Sequence, residues 1–130
     1  MSADSWIYST LAADNTIKNA VGARIYQDLA PEGMTYPFIV FNLVDVMPEE
    51  NAYADLIMDA EHWDIRVIDK GYSYTTAATI AAAIRSALHK KSSVTSSIVA
   101  SRFVQSRRIS EHDETGSYKT ISQEFLIFKQ

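Results

Sequence analysis

The spacing of apolar positions changes along the chain, and each change marks an element. Between Asp4 and Val21, the residues Trp6, Ile7, Leu11, Ile17 and Val21 recur roughly at helical spacing. Asp14 can cap a second segment if the helix breaks at Ala13-Asp14, and Gly22 ends it as a C-terminal cap. Arg24, Ile25 and Tyr26 read as a short strand, stopped by Ala30-Pro31 and the turn formers Glu32-Gly33, and a loop follows to Pro37. Residues 38–46 (FIVFNLVDV) are rich in β-branched and aromatic side chains with apolar groups on both faces, which predicts a central strand. Residues 47–55 (MPEENAYAD) combine acids, a proline and small residues, so an exposed, mobile loop is expected there.

Residues 57–69 return to strict alternation. Trp63, Ile65 and Val67 fall on one face and His62, Asp64 and Arg66 on the other, a half-buried strand that pairs most simply with its predecessor as a hairpin. After Gly71, residues 73–90 place Ala77, Ala81, Ile84 and Leu88 on one helical face and Thr75, Thr79 and Ser86 on the opposite one. The many alanines favour the helix and let it sit close to a sheet. Residues 98–112 and 117–129 are two strand-like runs around Asp113-Glu114-Thr115-Gly116, a hairpin with a four-residue loop. Its apolar side chains gather at the base, so a polar tip is expected to project beyond the core. The order α-β-β-β-α-β-β predicts an α+β fold: one mostly antiparallel, mixed sheet of about four or five strands with two main helices on one face, in a single domain over residues 1–130.

Composition narrows the function. A chain of 130 residues supports one core, and 12 basic against 16 acidic side chains give a net charge of -4, a poor balance for gripping phosphate backbones. The absence of cysteine excludes disulfides, thiolate catalysis and Cys-ligated zinc. The first residues lack a basic stretch ahead of an apolar run, so neither export by a signal peptide nor membrane insertion is expected.

Candidate chemistry is sparse. His62, His89 and His112 are scattered without metal-ligand spacing, and His89 suits the last turn of a helix, where a partly charged ring complements the dipole. Asp59, Glu61, Asp64 and Asp69 share a strand whose polar neighbours indicate a solvated or interface face rather than an acid/base pair. No Gly-x-Ser-x-Gly elbow is present, and the four glycines are isolated. Arg102, Arg107 and Arg108 form a basic cluster that could meet phosphates or an acidic neighbour such as Glu49, Glu50 and Asp55 of another copy, or pair across its own hairpin with Glu124 and other residues.

Several segments together resemble the phage tail-terminator (tail completion) family, proteins similar to minor tail protein U of long-tailed phages. They are residues 19–26 (NAVGARIY) leading to Ala30-Pro31, 36–41 (YPFIVF), 64–69 (DIRVID), the helix 77–88, and the closing 125–128 (FLIF). The resemblance implies a structural virion protein, not an enzyme, that needs no cofactor. It would assemble as a homo-oligomeric ring, expected to be a hexamer, on the head-proximal end of a tail tube, stop tube polymerisation and join tail to head. Its partners would be further copies, the tail tube protein and head-tail connector proteins, with no membrane and with DNA only as passing cargo. It would be found in the virion, and in the host cytoplasm during assembly. Expected interface residues are Pro48, Glu49, Glu50, Tyr53 and Asp55 in the acidic loop and Arg107, Arg108, Glu111, His112, Asp113, Glu114 and Tyr118 in the hairpin. Two rival readings are a head-completion (neck) protein of similar architecture and a small α+β ligand-binding or enzymatic domain using the face around His62, Asp64 and Arg66.

Overall fold

The computed structural model describes residues 3–50 and 56–130. Its elements, in chain order, are α1 (Ala3–Ala13), α2 (Asn15–Val21), β1 (Ile25–Gln27), β2 (Phe38–Glu50), β3 (Leu56–Lys70), α3 (Thr75–Leu88), β4 (Ile98–Asp113) and β5 (Gly116–Lys129). The expected α+β class holds, as does the break in the first helical region. Asp14 caps α2 by accepting the Ile17 N–H at 3.1 Å, and Gly22 ends the helix with φ +59°. A residue that accepts a first-turn N–H from outside helical φ/ψ separates two helices where apolar periodicity alone shows one.

The strands form one sheet in the order β1-β2-β3-β5-β4, parallel only between β1 and β2. α3 packs on one face through Ala77, Ile80, Ala81, Ile84 and Leu88, joined by Trp6, Ile7 and Leu11 of α1 and Ile17 and Val21 of α2. Phe41, Trp63, Ile65, Val67, Ile121, Phe125 and Ile127 meet them from the strands. Burying each of the larger aliphatic and aromatic side chains among them stabilises by about 1.5–3 kcal/mol relative to exposure, and this single layer of helices is what the short chain can cover. No described helix is long and apolar enough to cross a membrane.

Four expectations are corrected. β2 is not central, because β1 covers it only at residues 39–41, and β3 and β5 hold the middle of the sheet. Residues 47–50 are strand, not loop: Met47 pairs with Ala60, Pro48 with Asp59, Glu49 with Met58 and Glu50 with Leu56. An outer strand tolerates a proline that a central one does not, so Pro48 does not stop it. Next, the β4–β5 ladder closes at Asp113 and Gly116, leaving a two-residue turn, Glu114-Thr115, instead of four. Gly116, at φ +145°, supplies backbone that other residues rarely adopt. Finally, this hairpin does not project, since β3 pairs with β5 as far as Lys70–Tyr118 and the Gly71 N–H bonds the Ser117 carbonyl at 2.8 Å. The part of the sheet that does project is the β2–β3 ribbon, which continues past Lys129, the last β5 residue paired to it, opposite Asp59.

Candidate assembly interface

Before it reaches that projection, the outer strand of the ribbon carries apolar side chains that no described residue covers fully. Leu43 is 41 % exposed, Val44 51 %, Val46 44 % and Met47 52 %. A bulge between Leu43 and Asp45 inserts Val44 as an extra residue, which shifts the alternation and turns the strand. Contiguous exposed apolar side chains on an outer strand invite another surface. Pro48 lies in this ribbon and is exposed, and Glu49 and Glu50 extend its backbone ladder. Tyr53 and Asp55 lie outside the described residues.

The remaining expected interface residues gather at the opposite end of the sheet. On β4, Arg107 stands opposite Ser122, Glu111 opposite Tyr118, His112 opposite Ser117 and Asp113 opposite Gly116, with Glu114 exposed in the turn. Arg108 points to the helical side, where its guanidinium sits 4.8 Å from the Tyr74 ring centroid. Tyr118 is half-buried, its ring 5.5 Å from that of Tyr36. In the turn, Asp113 accepts the Thr115 backbone N–H at 2.8 Å and the Thr115 hydroxyl at 2.6 Å, and these bonds hold its carboxyl below the usual range. The Thr115 hydroxyl also meets the Tyr118 hydroxyl. Burial, and then the neighbouring Tyr118, pushes the Tyr36 hydroxyl up. The two expected clusters are therefore separate surfaces.

Among the described residues, the sheet face turned away from the helices has no covering layer. At its centre Asp64 is only 5 % exposed, accepting the Ser122 hydroxyl at 2.5 Å and Arg66 Nε at 2.7 Å. A solvated role for Asp64 is thus corrected, since flanking strands bury it even where no helix does. Beside it His62 lies 3.8 Å from Asp45 and 3.5 Å from Glu124. Glu124 also receives Gln105 Nε2 at 2.5 Å and stands opposite Gln105, so the expected pairing of the arginines with Glu124 is not what the hairpin makes. His89 is corrected too: Nδ1 accepts the Phe103 N–H at 3.0 Å, so the ring ties the end of α3 to β4 as an acceptor. Arg85 completes that corner with its guanidinium 4.1 Å from the Phe103 ring.

Chemistry is thin on this face. Open depressions of about 360 and 290 Å³ flank Arg66, walled by strand side chains together with Tyr36 in the first and Asp28, Leu29 and Ala30 in the second. No three His, Asp or Glu groups among the described residues are placed to hold a metal ion. Arg66, the one cation of the central cluster, is spent on Asp64. Sequence reasoning overlooked the exposed ribbon side chains, although apolar residues at consecutive positions 43 and 44 are themselves a sign of a bulge or of two occupied faces.

Comparison with known proteins agrees with this architecture. One solved chain, from a structure described as "Virion of native gene transfer agent (GTA) particle", superposes with a TM-score of 0.80 at 20% sequence identity, covering 98% of this chain and 94% of its own. At that identity the likeness is one of fold. No curated protein matches the chain. A family described as "Tail completion protein gp17" matches residues 6–127, from α1 to the end of β5. With nearly its whole length matched in this way, the chain belongs to the gp17 family of tail completion proteins.

Proposed function

We propose that the chain is a structural virion protein of a long-tailed phage or prophage that completes the tail, assembling as a ring of six copies on the head-proximal end of the tail tube. There it ends tube polymerisation and provides the joint to head-tail connector proteins. The whole chain serves as one domain in this role, without cofactor or catalysis. The observation that carries the reading is the outer strand β2, which exposes Leu43, Val44, Val46 and Met47 along the ribbon it forms with β3. A lone domain gains nothing from leaving them in water, whereas burying each against a neighbour yields about 1–3 kcal/mol. Membership of the tail completion family supports a role in the tail.

The test is the double substitution Val46→Lys, Met47→Lys. Both side chains are exposed, so the fold and its melting temperature are expected to stay as they are. In a complementation assay, lysates carrying the variant are expected to accumulate tails that electron microscopy shows unjoined and of unregulated length. Normal tails with that variant would contradict the reading.

A further inference from the structure

β2 and β4 bound the sheet on opposite sides, and each leaves part of its outer edge open. Beyond residues 39–41 no described strand lies outside β2. On β4 the end of α3 closes one portion: the Lys90 N–H donates to the Ser101 carbonyl at 2.7 Å, and His89 takes the Phe103 N–H. Past the bulge that follows Phe103, no described element covers β4. The two open edges differ in charge where they would meet. Residues 42–50 (NLVDVMPEE) contain Asp45, Glu49 and Glu50 and no base, whereas the open part of β4, residues 104–113, carries Arg107 and Arg108 in its first stretch, 104–110 (VQSRRIS), and the acids Glu111 and Asp113 only toward the turn.

We propose that β4 of one copy adds antiparallel to the outer edge of β2 in the next, so that one sheet runs unbroken through the assembly. This rests on the reading that copies join in a ring. β2 opposes β3, β3 opposes β5 and β5 opposes β4, so β2 and β4 run in opposite directions. A second copy kept in the same orientation therefore presents its β4 antiparallel to β2. Unpaired N–H and C=O groups on each edge supply the bonds, and the charges favour this pairing over β2 with β2 or β4 with β4. Two different patches meeting head-to-tail make the heterologous contact that closes rings. Pro48 has no N–H to give, so residues 42–47 carry the ladder.

The offset of the open segments fixes the geometry. The ladder residues 42–47 of β2 lie beside β3 residues 60–64, and the open residues 104–110 of β4 lie across β5 from β3 residues 64–69. Successive copies thus shift by about four residues, roughly 13 Å along the strands, while four strands are about 19 Å wide. Copies standing level then need strands leaning by roughly 35°, at the lower end of the ~35–45° of closed barrels. The connection from β3 through α3 to the parallel β4 is of the type that runs right-handed. With β3 upward and the helices toward the viewer, β4 is therefore on the right, its open segment high, and that of β2 is low on the left. Levelling the copies leans the strands up to the right, as right-twisted strands lean in a barrel seen from outside. The helices face outward, and the uncovered face, with Asp64, Arg66, Thr120 and Arg107, lines the channel.

The chain has no cysteine, so introduced ones report single contacts. Val46→Cys and Ser106→Cys proteins, concentrated at low salt, are treated with a short bis-maleimide separately and mixed, while light scattering follows the mass of the unsubstituted chain. Crosslinked dimers are expected in the mixture, at least tenfold above either variant alone. Assembly without that crosslink overturns the strand pairing and leaves the ring reading standing. A variant that crosslinks to itself as well as to the other also overturns it, and a chain that stays monomeric overturns both. For the inward face, assembly is expected to slow PEG-maleimide labelling of Thr120→Cys at least tenfold and leave Thr79→Cys, on the outer face of α3, unchanged. Equal rates at both overturn that placement.

Discussion

Asp64 shows how a single side chain can depend on strands far apart in sequence. It holds the Ser122 hydroxyl on β5 and Arg66 on its own strand. Because Arg66 is 42 % exposed, the ion pair is screened and worth little, and the larger loss on mutation falls on Ser122, whose buried hydroxyl would have no partner. Asp64→Ala is expected to cost about 1–3 kcal/mol in urea unfolding; a change below about 0.5 kcal/mol, the size of an ordinary surface substitution, would contradict this role. Asp113 behaves differently, since its bonds are exposed and local to the turn. Its folded value lies below the ordinary 3.8, so the stabilisation is complete above that value and is lost as pH falls through the folded one. An NMR titration of its carboxyl carbon is expected to give a midpoint below 3.8, and a midpoint at or above 3.8 would refute the assigned bonds. The caps Asp14 and Gly22 were legible in the sequence because capping is local, whereas Asp64 was not, because Ser122 lies 58 residues away.

At the scale of elements, what the sequence shows depends on where the stabilising partners sit. α3 could be read because one apolar stripe, Ala77, Ile80, Ala81, Ile84 and Leu88, faces one sheet. Ile84→Ala is expected to lower stability by about 2–5 kcal/mol, measured by thermal or urea unfolding, since the side chain is fully buried. A loss below about 1 kcal/mol would mean the helix docks differently. By contrast the end of β2 reads as a loop by composition, and only pairing with β3 makes it a strand. The polar stretch of the β4–β5 hairpin suggested a projecting tip for a similar reason: polarity there reflects the absence of a helical layer, not the absence of neighbouring strands. Gly116→Ala is expected to destabilise the turn by about 1–3 kcal/mol, because φ is +145°, a conformation that residues with a Cβ rarely adopt; the end of the Lys70 side chain, 2.9 Å from the added Cβ, can swing aside. An unchanged melting temperature would contradict it.

For the whole molecule, class and element order were open to sequence reasoning, because alternating and helical periods are periodic signals along one dimension. Which strands end up outermost was not, since that depends on how far each neighbour reaches, as with β1 covering three residues of a thirteen-residue strand. That difference matters for function: the uncovered edges and the exposed ribbon, more than any catalytic group, are what the fold offers to other molecules. The proposed role stands or falls on whether copies associate. The most direct measurement is the molar mass of the intact chain by light scattering over rising concentration, at low and high salt, alone and with added tail tubes. The account predicts a species near 87 kDa, six times the 14.5 kDa chain, weakening with salt as the charged edges are screened. A single 14.5 kDa species under every condition, tubes included, would contradict it.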